Sequence, residues 1–237
     1  MEDSSSTLYL LPSPIADEGF SFFPEIHWEL MQGIHFFIVE NLKAARRNLR
    51  KVGFKGVFDE MEFHEWNENT TDSEKNNILQ KLKQVKRGIL MSDAGLPCVA
   101  DPGNQVVAFA HQNNIKIHPW VGPSSILLTL MGSGFNGQQF RFHGYLPRER
   151  NERIKVIKQL EQKSQQGETQ LFMDTPYRNQ AVWDDLLQNL SNNTLLCVGA
   201  NLQSSEQKIL THSIEKWKKH NLQFHKIPVM FAIGKWI

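Results

Sequence analysis

Apolar positions along the chain fall into short runs separated by stretches of helical period. Leu8 to Leu11 and His35 to Val39 read as strands. Between Asn41 and Val52, Leu42, Ala45 and Leu49 line one side of an amphipathic helix, and Ile78, Leu79, Leu82 and Val85 mark a second. The run Gly88 to Met91, a short helix containing Val106, Val107, Phe109 and Ala110, and the strand Ile115 to His118 continue the alternation. Strand and helix taking turns in this way predict a doubly wound, mostly parallel sheet. The pattern breaks at Pro119-Trp120-Val121-Gly122-Pro123, and an N-capped helix over Ser124 to Met131 follows at once. Beyond it, Phe140 to Gly144 reads as strand, Glu149 to Leu160 as a helix with Ile154, Ile157 and Leu160 inward, and Thr169 to Met173 as strand. A helix carrying Val182, Leu186 and Leu190 precedes three strand-like runs, Leu195 to Val198, Gln207 to Leu210 and Val229 to Ile233. Consecutive strands with fewer helices predict a mixed sheet. The expected architecture is α/β in two lobes, residues 1–119 and 120–237.

Composition narrows the class without naming a function. With 237 residues and 40% apolar content, each lobe can build its own core. The start, Met1-Glu2-Asp3-Ser4-Ser5-Ser6, is acidic and polar where a secretory signal is basic and then apolar, and no run approaches the roughly 20 apolar residues of a membrane span. A soluble, cytoplasmic protein without a membrane partner is expected. Cys98 and Cys197, far apart, fit a reducing compartment better than a disulfide framework. A net charge of +1 leaves a nucleic-acid partner open, because what matters is where positive charge gathers. It gathers on the helix after Asn41, where Lys43, Arg46, Arg47 and Arg50 recur at helical spacing. That stripe is either a solvated face or a phosphate-contacting one.

Several motifs carry candidate chemistry. Ser92-Asp93-Ala94-Gly95-Leu96-Pro97, continuing through Asp101-Pro102-Gly103, follows a buried strand, so it is either a pair of ordinary turns or a rigid ligand loop at the carboxyl edge of a sheet. Gly132-Ser133-Gly134-Phe135-Asn136-Gly137 matches a dinucleotide fingerprint in letters only: it ends a helix where the fingerprint must begin one, so it reads as a C-cap and turn. There is no phosphate-binding lysine loop and no nucleophile elbow, and the nine histidines show no zinc-like spacing, so no metal is expected. Phe63-His64-Glu65-Trp66-Asn67-Glu68 is rich in groups for acid–base work, and also reads as a polar loop with a half-buried tryptophan. Asp174-Thr175-Pro176-Tyr177-Arg178-Asn179 sits where strand gives way to helix in the second lobe and mirrors the Asp93 loop.

Taken together, Leu8-Tyr9-Leu10-Leu11-Pro12-Ser13-Pro14-Ile15, the Ser92 to Gly103 loop and Gly122-Pro123-Ser124-Ser125 resemble the tetrapyrrole methylase family of S-adenosylmethionine-dependent methyltransferases. Phe63 to Glu68, Phe142 to Arg148, Glu168 to Arg178 and the terminal Pro228 to Ile237 resemble the branch that methylates a ribose 2′-hydroxyl of small-subunit ribosomal RNA. The resemblance implies a two-lobed tetrapyrrole methylase-like fold, usually a homodimer, with S-adenosylmethionine folded between an N-terminal lobe carrying the cofactor loop and acceptor side and a C-terminal lobe completing the pocket. On the cofactor it implies Pro12, Pro14, Ser92, Asp93, Ala94, Gly95, Leu96, Ser124 and Ser125, with Met173, Ile227, Pro228 and Val229 at the adenosine. Glu40 and His64 become the candidate catalytic residues near the acceptor, and Arg148 and Arg178 the residues that position RNA.

Departures from the family pattern are concentrated in two loops and at one surface. The first loop continues Pro14-Ile15-Ala16-Asp17 where the family has Pro-Ile-Gly-Asn. The acid-Asp-Thr-Arg motif has become Glu40-Asn41-Leu42-Lys43, with Arg46 or Arg47 as substitutes one turn later and as candidate RNA-binding residues. An Arg-Glu-Leu-Thr-Lys segment is replaced by Ala200-Asn201-Leu202-Gln203-Ser204, and the branch's small C-terminal extension is expected to be absent. Two alternatives stand beside the RNA reading: methylation of a tetrapyrrole, another small molecule or a protein, which calls for a closed apolar trough, and a non-catalytic cofactor- or RNA-binding relative.

Overall fold

The computed structural model describes residues 6–18 and 33–236, so Met1 to Ser5 and Ile237 lie outside the described residues. The chain divides into two compact units that part between Pro123 and Ser124, a few residues beyond Pro119.

In the first unit, β1 (Thr7–Leu11), β2 (Phe36–Val39), β3 (Glu62–Glu65), β4 (Arg87–Met91) and β5 (Lys116–Pro119) form one sheet in the order β3-β2-β4-β1-β5, with every pairing parallel. A parallel sheet is covered on both faces, and β2 shows the consequence: all four of its residues are buried. Phe36 and Ile38 join Leu8 and Leu90 against α2 (Asp72–Gln84) and α3 (Asn104–Gln112), through Ile78, Leu82, Val106 and Ala110. Phe37 and Val39 face the other way, onto Ala45 and Leu49 of α1 (Leu42–Lys51).

The segment around His64 departs from a loop reading. It forms the edge strand β3, and Trp66 is buried against Ile78 and Leu82 rather than half-exposed. Ring packing explains the difference: Phe63 stacks on Phe37 at 4.9 Å, and His64 lies 4.9 Å from Phe36 on the opposite face. Four residues with an aromatic contact on each face suffice for an edge strand, although the flanking acids hide the alternation.

The second unit carries α4 (Ser125–Ser133), β6 (Phe140–Tyr145), α5 (Arg150–Gln165), β7 (Thr169–Met173), α6 (Asn179–Asn189), β8 (Leu195–Ala200), β9 (Lys208–Ser213), α7 (Ile214–Trp217) and β10 (Val229–Gly234). Its sheet runs β6-β7-β10-β8-β9, parallel between β6 and β7 and antiparallel elsewhere. Leu171, Cys197, Met230 and Ala232 pack on α4, while Phe172, Val198 and Phe231 pack on α5 and α6 with Trp183 and Trp217. Helix α4 lies so close to β8 that a Cβ on Gly199 would come within 2.5 Å of Thr129 Oγ1. Gly134, at φ +76°, ends α4, so the glycine-rich segment is a helix terminus, as its context predicts.

The helical layer on the α5 face is tied by a buried ion cluster. Asp185 of α6 takes Arg153 Nε at 2.9 Å and Nη2 at 2.6 Å on one oxygen, and Arg150 Nε at 2.9 Å on the other. Asp185 and Arg153 are both buried, so removing the carboxylate strands a guanidinium out of water. Asp185→Asn should therefore destabilise the second unit by about 3–5 kcal/mol, read as a lower urea midpoint in the fluorescence of Trp183 and Trp217; an unchanged midpoint would mean the cluster contributes nothing net.

Candidate functional site

The loops leaving β1 and β4 emerge side by side at the carboxyl edge of the parallel sheet, and they are knotted together. Ser13 N–H donates to the Gly95 carbonyl at 2.8 Å and Gly95 N–H to the Ser13 carbonyl at 2.9 Å. The buried Ser13 hydroxyl donates to the Ser92 carbonyl at 2.7 Å, and the buried Ser92 hydroxyl to the Gly95 carbonyl at 3.2 Å. Between these anchors and α3 the backbone turns through Gly95 (φ +75°), Cys98 (φ +67°), Ala100 (φ +61°) and Gly103 (φ +132°). Left-handed geometry at a cysteine and an alanine is strain that persists only where the surroundings enforce it. Pro12 and Pro14 are buried beside this knot. A Cβ on Gly122 would meet Pro12 Cβ at 2.2 Å, and one on Gly95 would lie 3.5 Å from the Pro123 carbonyl. Pro12, Gly95 and Gly122 thus meet in one cradle from which side chains are excluded, with Leu96 at its side. Ala94 is exposed at the tip. Ser124 N-caps α4 by accepting from Leu127 N–H at 3.4 Å, with Ser125 the first helical residue.

Carboxylates collect on the same edge. Asp93 N–H donates to Glu40 Oε2 at 3.3 Å, and the Asp93 carboxylate accepts from the Asn41 backbone N–H. Burial, then the neighbouring Glu40 charge, raises Asp93 above the ordinary carboxylate range. Asp101 is pushed up to about 8, by burial first and then by a hydrogen bond with Glu40 and the Glu40 charge. At neutral pH Glu40 and Asp101 therefore share a proton as a pair. Oδ1 of Asp93 and Oδ2 of Asp101 are shut off from solvent without a hydrogen-bond donor. Two orphaned acceptors beside a strained, rigid loop form a site suited to a cationic ligand.

Neighbouring side chains hold this acidic edge in place. Asn48, buried on α1, donates through Nδ2 to the Asp93 carbonyl at 2.9 Å. Asn67 Nδ2 donates to the Glu40 carbonyl at 2.9 Å, and Glu65 Oε1 accepts from Leu42 N–H at 2.8 Å, so the chemistry-rich segment after Phe63 buttresses the start of α1. Asn41 caps that helix by accepting from Ala44 N–H at 3.0 Å, and Asp17 of the altered first loop pairs with Lys51 at its other end. His64 is committed elsewhere: its Nε2 lies 2.9 Å from Glu62 Oε1, its ring packs on Phe36, and burial lowers its proton affinity.

The basic stripe of α1 divides in two. Arg46 lies between the rings of Phe58 and Phe63, at 5.5 and 5.3 Å, with its Nε buried and unpartnered. Arg50 sits 4.0 Å above Phe58 and donates to the Phe54 carbonyl at 2.7 Å. Lys43 and Arg47 point into solvent. Of the two arginines expected to take RNA, Arg47 is the exposed one and Arg46 is packed on aromatic rings.

In the second unit, Met173 ends β7 partly buried against Leu171 and Met230. Ile227 lines a cavity of about 270 Å³ with Val198, Ala200, Leu222 and Phe224. Its carbonyl accepts from Asn179 Nδ2 at 2.6 Å, and the carbonyl of the exposed Pro228 accepts from Asn201 N–H at 3.1 Å. Lys226 N–H donates to the Pro176 carbonyl at 3.0 Å, so the loops before β10 and after β7 are laced together. Arg178 Nη2 donates to the Leu146 and Pro147 carbonyls at 3.1 and 2.9 Å and lies 3.1 Å from Asp174 Oδ2. It braces a loop, whereas Arg148 is exposed. Among the described residues no cluster of histidines, cysteines and acids could hold a metal ion, and no helix is long and apolar enough to cross a membrane.

An α/β chain with this cradle and these two sheets is tetrapyrrole methylase-like. Within that class the chain resembles the proteins named ribosomal RNA small subunit methyltransferase I. It is 23% identical over 227 residues to the one from Buchnera aphidicola subsp. Schizaphis graminum, covering 94% of this chain and 76% of that protein. It is 28% identical over 209 residues to that of Micromonospora olivasterospora, covering 88% and 63%, and 32% identical over 123 residues to that of Thermotoga maritima, covering 52% and 54%. No protein-family model matches the chain. These relatives carry the name of an RNA methyltransferase, which does not favour the small-molecule or non-catalytic alternatives.

Sequence reasoning missed two contributors. Asn48 is hidden in a helix that reads as amphipathic, with only a polar residue beside Leu49 to betray it. Asp101 reads as a turn residue, and nothing local signals that the fold carries it back to Glu40. Because its pKa is raised in the folded state, Asp101 subtracts stability as pH climbs from about 4, where the unfolded group ionises, towards about 8. Asp101→Asn should melt near the parent protein at pH 4 and increasingly above it up to pH 8, by scanning calorimetry; a pH-independent difference would rule out the shared proton.

Proposed function

We propose that this protein is an S-adenosylmethionine-dependent methyltransferase acting on ribosomal RNA, with a ribose 2′-hydroxyl as acceptor. The observation that carries the reading is the strained loop from Ser92 to Gly103, bolted to Ser13 and edged by buried carboxylate oxygens that lack donors. A cationic ligand meets that need, and the glycine cradle lets backbone groups approach it closely. When bound, S-adenosylmethionine supplies a methyl group on a sulfonium centre whose leaving group is already activated.

The protein's part is then alignment and exclusion of water, which rigid loops perform without rearranging. Asp93, Leu96 and the Pro12 cradle hold the cofactor, with Ser124 and Ser125 beside it and Met173 and Ile227 on the adenosine. Glu40 is the group to relieve an acceptor hydroxyl of its proton, since it already exchanges one with Asp101. His64, engaged with Glu62 and Phe36, is the weaker of the two candidates. Arg47 and Arg148, both exposed, suit phosphate contacts. The exposed Leu127 and Met131 on α4 support association of two copies as a homodimer.

Calorimetric titration should give binding of S-adenosylmethionine and S-adenosylhomocysteine but not of NAD or ATP. Asp93→Ala should weaken that binding by about tenfold or more, as expected for loss of a charge-assisted contact, and undermethylated small ribosomal subunits should take up label from the methyl donor. Unaltered affinity in Asp93→Ala would overturn the assignment of the loop.

A further inference from the structure

The loops after β6 and β7 leave the same edge of the second sheet, because these two strands are parallel neighbours. Each carries an exposed tyrosine: Tyr145 is 58% exposed and Tyr177 74%. They are two of the chain's three tyrosines. They also lie close together, since Arg178, next to Tyr177, bonds the carbonyl of Leu146, next to Tyr145, at 3.1 Å. Large aromatic rings left in water on a site-bearing edge call for a reason, since burying one recovers a good part of its hydrophobic free energy.

The backbone is arranged to present these rings. Phe142 pairs with Leu171 and Tyr145 with Met173, so β6 has one residue more than β7 over that span, and Gly144 at φ +67° absorbs it. The bulge reverses the alternation and sets Tyr145 on the same face as Phe142, Leu171 and Met173. The loop that follows is fixed by two guanidinium groups. Arg178 holds the carbonyls of Leu146 and Pro147, and Arg153 Nη1 holds those of Pro147 and Arg148 at 3.2 and 2.9 Å, while the rest of its fork is spent on the buried Asp185. Three successive carbonyls are thus satisfied from behind, and the side chain of Arg148 projects into solvent.

We propose that Tyr145 and Tyr177, with Arg148 beside them, form a stacking platform that grips unpaired bases of an RNA strand. It rests on the RNA reading given above and says where and how the strand is held. Two exposed π-faces and a nearby cation are the elements of single-strand binding: bases stack on the rings and a phosphate meets the guanidinium. An aliphatic patch would suit a protein partner better, but the exposed apolar side chains of these two loops are the tyrosines. Acids on this edge are unavailable to repel phosphate, since Asp174 and Asp185 are buried against arginines and Glu149 caps α5. Because the loop is braced beforehand, stacking costs little ordering of the protein.

The test is fluorescence anisotropy of the full chain with labelled single-stranded oligoribonucleotides and with duplexes of the same sequence, at two salt concentrations, alongside titration with S-adenosylhomocysteine. Tyr145→Ala and Tyr177→Ala should each weaken single-strand binding by about tenfold, the tyrosine-to-phenylalanine variants should bind like the parent, and the tyrosine-to-leucine variants should bind like the alanine ones. Arg148→Ala should weaken binding to every sequence and lower the salt slope by about 0.7. Cofactor-product affinity should stay at the parent value throughout, which also certifies folding. Alanine variants that bind single strands as well as the parent, or leucine variants that do, would overturn the platform while leaving the RNA methyltransferase reading intact. A parent protein that binds S-adenosylhomocysteine but no RNA would overturn both.

Discussion

The candidate site depends on one polar knot under the carboxyl edge of the first sheet. Ser13 and Ser92 are buried, and each spends its hydroxyl on a backbone carbonyl of the neighbouring loop or its own. A buried hydroxyl without a partner costs more than a hydrogen bond returns, so once the strands are packed the two loops have one low-energy register. That register forces the chain through left-handed geometry at Cys98 and Ala100 before Gly103 releases it into α3. Packing of β1 against β4 supplies the free energy; the knot turns it into shape.

The same constraint accounts for the acid chemistry. Holding the Ser92 to Gly103 segment still brings Asp93 and Asp101 to Glu40, where burial and mutual repulsion make a fully ionised set too costly at neutral pH. Left to relax, the loop would swing these carboxylates into water. Asn48 and Asn67 oppose this by holding the carbonyls of Asp93 and Glu40. A site whose protonation is strained in this way is less stable than the fold could make it, which is the usual signature of function rather than of structure.

Legibility in the sequence followed the range of the interactions. The two sheets could be read from apolar runs because each strand's burial is written in its own residues, as in Phe36 to Val39 and Val229 to Ile233. Strand β3 could not, since acids flank Phe63 and His64 and only their ring partners on β2 reveal the pairing. The turn clusters around Asp93 and Asp174 marked where loops would leave the sheets. What the side chains do there was hidden, because it depends on partners far off in sequence: Asp101 acquires its raised pKa from Glu40, Arg178 finds its carbonyls at Leu146 and Pro147, and Arg46 is taken by Phe58 and Phe63. Charge type was legible, but assignment was not: a stripe of four basic residues looks uniform until two of them turn out to lie on rings.

The two units solve one mechanical problem with different chemistry. In the first, short hydroxyls hold the loop, since β1 and β4 are adjacent and the carbonyls lie within a bond of the serines. In the second, the loop after β6 stands further from its support on α5 and α6, and a long planar donor is needed. Arg153 can bond Asp185 with one side of its fork and two carbonyls with another nitrogen at the same time. A lysine offers a single point of charge and cannot span that geometry, so the brace is specific to arginine. Once those forks are committed inward, little positive charge is left for a ligand on this edge, and it falls to the exposed Arg148 and to the faces of Tyr145 and Tyr177. Recognition on this edge therefore turns on ring stacking more than on charge, in keeping with a chain whose net charge is only +1.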